Sequence, residues 1–161
     1  MKVEQLMVKN MAACRPESTL EEAARIMWER DCGFVPVIES GQSTKVVGVI
    51  TDRDACMAAY TRGAPLKDLR VADAMAKVVW SCRPSDSIEE AERRMAEARV
   101  RRLAVVDESS QLLGVLSLAD LAREAFQERA RPKPDVKEAQ VGALLASVCQ
   151  PRELAPAALG S

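Results

Sequence analysis

A chain of 161 residues has room for one compact domain or for two small units sharing a core, and not for a multidomain enzyme. With 23 Lys plus Arg against 24 Asp plus Glu, no global field draws the molecule to nucleic acid or to an anionic membrane, so any anion site must be local. Hydrophobic residues make up 48% of the chain but aromatic ones only 3%, so the core must be built from Val, Leu, Ile, Ala and Met, which suits an α/β fold.

The first ten residues, MKVEQLMVKN, interrupt any apolar stretch with Glu4 and other polar side chains. No later run approaches the ~20 apolar residues needed to span a bilayer, which predicts a soluble, cytoplasmic protein. A short extended segment is expected around Ala12 to Cys14. Next, Ser18-x-x-Glu21 and Thr19-x-x-Glu22 both have capping-box spacing, and Leu20, Ala23, Ala24 and Met27 lay an apolar stripe at i, i+3, i+4 and i+7. An amphipathic helix starts here. Phe34 to Ile38 and Lys45 to Thr51 read as two strands around a polar turn, Glu39 to Thr44. Pro36 has no N–H to donate to a ladder, which predicts an edge position or a bulge. A second helix follows and ends at Gly63 and Pro65.

From Val71 the same order returns, because the chain is an internal repeat. Val3 and Met7 recur 68 positions later as Val71 and Met75, and Cys14-Arg15-Pro16 recurs as Cys82-Arg83-Pro84. A second extended segment is expected around Val78 to Trp80, and a second helix start at Ser87-x-x-Glu90. After a hairpin two residues shorter, Val47-Gly48-Val49-Ile50-Thr51 matches Leu113-Gly114-Val115-Leu116-Ser117 at a spacing of 66, and Asp54 matches Asp120. The predicted organisation is a unit over 3–61, a linker over 62–70, a unit over 71–129 and a linker over 130–134, each unit running strand, helix, strand, strand, helix. Val141, Leu144, Leu145 and Val148 then predict one amphipathic helix over 135–150, and residues 155–161 are expected to be disordered.

The residue types argue against catalysis. The chain has no histidine, which removes the usual general base, triad member and metal ligand together. Neither Gly-x-x-x-x-Gly-Lys-Ser/Thr nor Gly-x-Gly-x-x-Gly occurs. The five cysteines are odd in number and never spaced Cys-x-x-Cys, which speaks against a disulfide framework and a zinc site. Asp52 and Asp54 within one turn suit a helix N-terminus and form an incomplete cation ligand set. No enzyme activity, metal or cofactor is expected.

Thr51 stands three residues before Asp54, and Ser117 three before Asp120, each at a strand-to-helix junction. That spacing aims a hydroxyl and a carboxylate at a helix N-terminus, where backbone N–H groups favour an anion. A carboxylate suits the two hydroxyls of a ribose, and N–H groups suit a phosphate. Helix capping explains the same residues without any ligand, and the duplication of the pattern does not separate the two readings.

The tandem units, the Gly-h-h-Thr/Ser-x-x-Asp junctions (h apolar) and the strands Cys-Gly-Phe-Val-Pro-Val and Val-Arg-Arg-Leu-Ala-Val-Val-Asp together resemble a CBS domain pair, or Bateman module, from about Val3 to Arg129. The resemblance implies two β-α-β-β-α units packed sheet to sheet about a pseudo-twofold axis, with clefts for AMP, ADP, ATP or S-adenosylmethionine. It implies ribose and phosphate contacts from Thr51 with Asp54 and from Ser117 with Asp120, and base pockets near Ala13, Cys14 and Pro36 and near Trp80, Ser81 and Ala104. In such pairs basic residues before the second strand of one unit meet the phosphate of a ligand whose ribose the other unit holds. Arg101 and Arg102 occupy that place here, where the first copy has Gly33 and Phe34. The implied function is a nucleotide sensor that signals to an effector protein of unknown identity; a ligand-free dimerisation scaffold and an S-adenosylmethionine sensor are the alternatives.

A homodimer is also expected. Ala55 to Tyr60 is apolar on every face, and Leu118, Ala119, Leu121, Ala122, Ala125 and Phe126 form a similarly broad surface, so the two second helices are expected at the interface, with the C-terminal helix a candidate beside them.

Overall fold

Capping chemistry sets where the helices begin. In the computed structural model, which describes residues 1–150, Thr19 rather than Ser18 caps the first long helix: its hydroxyl accepts from the Glu22 N–H at 3.2 Å and the Glu22 carboxylate accepts from the Thr19 N–H at 3.0 Å. Ser87 caps the corresponding helix of the second repeat, while Glu90 turns to Arg93 and Arg94. The order is α1 (Val3–Leu6), β1 (Val8–Lys9), α2 (Leu20–Glu29), β2 (Phe34–Ile38), β3 (Val46–Thr51), α3 (Asp52–Arg62), β4 (Ser81–Cys82), α4 (Ile88–Ala98), β5 (Arg102–Val106), β6 (Leu112–Ser117), α5 (Leu118–Glu128) and α6 (Glu138–Val148). Gly63 ends α3 in the left-handed conformation, φ 59°. The segment 155–161 lies outside the described residues. Among those described, no helix is long and apolar enough to cross a membrane.

Each repeat folds its hairpin antiparallel, β2 on β3 and β5 on β6. The extended segments before the first helices are shorter than predicted. Cys14 makes a single parallel bridge to Val37, and the second-repeat strand falls at Ser81–Cys82, parallel to β5, instead of around Val78 to Trp80. Pro36 is not at an edge: it is buried between β3 and the Cys14 segment. That segment draws only on the Pro36 carbonyl, which accepts from the Cys14 N–H at 3.1 Å, and on the Ile38 N–H, so the missing donor breaks no rung there.

The leading segment of each repeat crosses to the other repeat's sheet. β1 pairs with β6, Val8 opposite Val115, and Ala76, the counterpart of Val8, bridges Val49. Val3 is buried in the second core with Ile88, Met95 and Leu116, and Val71 in the first with Leu20, Val35 and Ile50. Reciprocal backbone bonds fasten the exchange, from the Val3 N–H to the Asp86 carbonyl at 3.0 Å and from the Val71 N–H to the Ser18 carbonyl at 2.8 Å. Glycine makes the approach feasible. A Cβ on Gly48 would stand 2.9 Å from the Ala76 carbonyl oxygen, and one on Gly114 2.5 Å from that of Val8.

Two residues touch their own repeat counterparts, which puts both pairs on the pseudo-twofold axis. Lys45 bridges Gln111, flanked by bonds from the Val46 N–H to the Ser110 carbonyl and from the Leu112 N–H to the Thr44 carbonyl, both 3.0 Å. The Arg102 guanidinium lies 5.9 Å from the Phe34 ring centroid.

α6 breaks the symmetry by packing on α4 and α5, burying Leu144 and Val148 against Leu118, Leu121 and Ala125. It thus covers a face of α5 that the sequence assigns to a second chain. Leu145, placed by its spacing on the inward stripe, is exposed instead. Glu128 anchors the lead-in to α6. Its fully buried carboxylate accepts from the Asp135 N–H at 2.7 Å, from the Val136 N–H at 3.0 Å and from Arg131.

Two outcomes test this architecture. Gly48→Ala and Gly114→Ala should each lower the unfolding free energy by about 1–3 kcal/mol, the usual cost of overpacking, whereas Gly142→Ala on the exposed side of α6 should raise it by about 0.5–1 kcal/mol; urea titration of the three variants measures the contrast. Glu128→Ala strands the buried Val136 N–H and frees the Asp135 N–H, and should cost about 2 kcal/mol, with limited proteolysis cutting first in residues 129–137.

Candidate functional site

The two strand-to-helix junctions share a backbone frame. At the first, the Thr51 hydroxyl donates to Asp54 Oδ2 at 2.6 Å, the Thr51 N–H donates to the same oxygen at 3.0 Å, and the Asp54 N–H returns to the hydroxyl at 3.2 Å. At the second, the Ser117 hydroxyl and N–H reach Asp120 Oδ2 at 2.5 and 2.8 Å. Both predicted pairs are therefore in contact, and each completes a capping box that holds its carboxylate in one orientation.

The second carboxylate oxygen distinguishes them. Asp120 Oδ1 accepts from the Arg123 guanidinium, and Asp120 is only 5% exposed. Asp54 Oδ1 has no hydrogen-bond partner among the described residues, and Asp54 is half-buried. Position 57, the counterpart of 123 at the spacing of 66, is Met. Residues three apart share a helix face, so the side chains at 57 and 123 flank the two aspartates. Neither Met57 nor Arg123 stands out in the sequence until the repeats are aligned through α3 and α5.

Arg101 and Arg102 are separated. The Arg101 guanidinium donates to the Cys149 sulfur at 3.2 Å, at the end of α6. Arg102 faces the other way, onto the Phe34 ring of the first repeat, and Phe34 is the strand partner of Thr51. A cation from one repeat thus stands beside the junction of the other. Successive residues at the start of a strand point to opposite faces, which parts the two guanidinium groups.

The predicted base segments also fall into two groups. Cys14 donates its N–H to the Pro36 carbonyl at 3.1 Å, with Ala13 adjacent, and Ser81 pairs with Ala104, whose N–H donates to the Trp80 carbonyl at 3.1 Å. Burial pushes the Cys14 thiol up to about 11, and burial together with the Asp86 charge pushes Cys82 up to about 12, so both stay protonated and unreactive at neutral pH. All five cysteines are free, and no cluster among the described residues has the makings of a metal site.

A groove between α2 and α3 is lined by Ala24, Trp28, Cys56 and Ala59, with Asp52 and Arg102 also on its wall. Trp28 is 88% and Tyr60 79% exposed. The counterpart groove on α4 and α5 is the one that α6 fills.

Comparison with known proteins places this geometry. The CBS domain model matches residues 3–60 and again 71–126. The chain is 33% identical over 120 residues to the CBS domain-containing protein YhcV of Bacillus subtilis, covering 74% of this chain and 82% of that one. The solved structure of CBSX2 in complex with AMP is 26% identical with a TM-score of 0.67, over 80% of this chain and 98% of the other. A CBS domain pair in complex with 5'-methylthioadenosine and S-adenosyl-L-methionine shares the fold at 19% identity and a TM-score of 0.69, over 80% and 98% of the two chains. Longer enzymes match as well, a homoserine O-acetyltransferase and an inosine-5'-monophosphate dehydrogenase among them, and the chain spans about a quarter of their length. With both repeats matched and the paired fold shared, the chain belongs to the CBS domain family, as a tandem pair of CBS units.

Proposed function

We propose that this chain is a regulatory module without catalysis of its own, which binds an adenosine nucleotide (AMP, ADP or ATP) at the Thr51–Asp54 junction and signals its occupancy to a partner protein. One observation carries the reading. The Asp54 carboxylate is oriented by Thr51 yet keeps Oδ1 without a partner among the described residues, ready to accept from a ribose diol, and Arg102 of the other repeat stands on the strand partner of Thr51, in reach of a phosphate. Ala13, Cys14 and Pro36 supply an apolar seat for the base. The AMP complex of CBSX2 supports this choice of ligand. Five free cysteines fit a reducing, cytoplasmic setting.

Calorimetry with AMP tests the site. Asp54→Ala should weaken binding about tenfold or more with the fold intact, in line with a lost hydrogen bond to a charged group. Arg102→Ala should weaken AMP much more than adenosine; equal losses would remove Arg102 from the phosphate site. S-adenosylmethionine binding in place of all three nucleotides would reassign the ligand, and no binding by any of them would leave a scaffold. At about 100 times its dissociation constant, a ligand specific for the native state adds roughly 2.7 kcal/mol of stability, so a thermal-shift panel ranks the candidates first.

We further propose a homodimer formed on the α2–α3 groove, since Trp28 and Tyr60 are exposed there while α6 already covers the counterpart. Sedimentation at micromolar concentration should find a dimer that Trp28→Glu with Tyr60→Glu converts to monomer. A monomeric native chain would sink the proposal, and a dimeric double variant would move the interface elsewhere.

A further inference from the structure

We propose that Arg123 partly closes the second cleft of the pair, so that a nucleotide goes first to the cleft at Asp54, and that the residue three positions after the junction aspartate sets how open a cleft is. The inference rests on the nucleotide reading above but concerns a residue which that reading does not use.

The two junctions are a controlled comparison, because duplication supplied the same backbone twice. Thr51 and Ser117 bond their aspartates through the same atoms, with hydroxyl-to-carboxylate distances of 2.6 and 2.5 Å. Only the outer carboxylate oxygen differs in its surroundings. Asp120 Oδ1 receives the Arg123 guanidinium, whereas Asp54 Oδ1 has no hydrogen-bond partner among the described residues and position 57 is the neutral Met. A ribose binds such a carboxylate by donating from its two vicinal hydroxyls, and it needs acceptor capacity and net negative charge there. At Asp120 one lone pair of Oδ1 is taken and the charge is offset by the guanidinium, so a nucleoside would have to compete with Arg123 for a side chain that is 5% exposed.

A second asymmetry points the same way. Arg102 and Phe34 are counterparts that meet on the axis: Arg102, the strand partner of Ser117, extends its guanidinium to Phe34, the strand partner of Thr51. The first cleft therefore combines a carboxylate open to a sugar with a guanidinium reaching across for a phosphate, whereas the carboxylate of the second is engaged by Arg123.

The pair Asp120–Arg123 lies one turn apart on a helix with its cation largely in water, so the closure is modest, about fivefold to tenfold in affinity. Calorimetry with AMP on the full chain tests it through reciprocal exchange. The native chain should bind one AMP at its stronger site and a second about fivefold to tenfold more weakly. Arg123→Met should tighten the second site by that factor, and Met57→Arg should weaken the first by about the same. Asp54→Ala should weaken the first site about tenfold or more, and Asp54→Ala with Arg123→Met should bind chiefly at the second. Met57 is exposed, so its replacement keeps the inference testable even if Arg123→Met fails to fold, which thermal melts would reveal. Two equivalent sites in the native chain, an unchanged second-site affinity in Arg123→Met, or weaker binding in that variant, as for an arginine that itself holds phosphate, would each overturn the closure. A stronger site that survives Asp54→Ala and is lost in Asp120→Ala would overturn it while leaving the chain a nucleotide binder. No binding by the native chain or by Arg123→Met would overturn the nucleotide reading and this inference together.

Discussion

The structure depends on the close passage of the Ala76 carbonyl over Gly48 and of the Val8 carbonyl over Gly114. These contacts are closer than any Cβ permits. They let the leading segment of each repeat lie on the sheet of the other, where Val3 and Val71 each complete a core they do not belong to by sequence. A unit of about 60 residues buries too little surface to be securely stable alone. Exchange makes each core depend on both repeats and turns two marginal units into one cooperative body. It also brings Lys45 to Gln111 and Arg102 to Phe34, and those contacts set where the two junctions face each other.

On that shared frame the repeats have diverged by side chain alone. The backbone bonds of the two capping boxes match, while Met57 and Arg123, or Phe34 and Arg102, give their surroundings different charge and access. Helix coverage diverges too. Ala96 stands where the first repeat has Trp28, and α6 lies over the second repeat's helices while the first repeat's groove stays open. The pair thus leaves one repeat's carboxylate and groove open and covers the other's. Glu128 and its bonds to the backbone at Asp135 and Val136 belong to the covered half.

Much of the fold and part of the site are legible in the sequence because their causes are local. The 68- and 66-residue spacings disclose the repeat, and the Thr19 and Ser87 caps mark the first-helix starts. Short apolar runs on either side of a polar turn mark the hairpins, and Gly63 marks the end of α3. The hydroxyl-to-carboxylate contacts at 51–54 and 117–120 follow from a three-residue spacing at a helix start, which holds in any fold that keeps the helix.

The remaining features depend on partners far apart in the chain. The same apolar pattern at Val3 and Val71 is satisfied by either core, so nothing local states that they exchange; the steric slots at Gly48 and Gly114 settle it. Arg101 and Arg102 read as one basic pair until the strand sends one to Cys149 and the other across the axis. Pro36 looks like an edge residue until its neighbour proves to need only a carbonyl. The repeat, the elements and the two hydroxyl–carboxylate pairs follow from the order of residues alone, because periodicity and capping act over a few residues. Which junction keeps an open carboxylate, and which groove stays uncovered, was decided by packing, because both depend on side chains and a helix brought in from elsewhere in the fold.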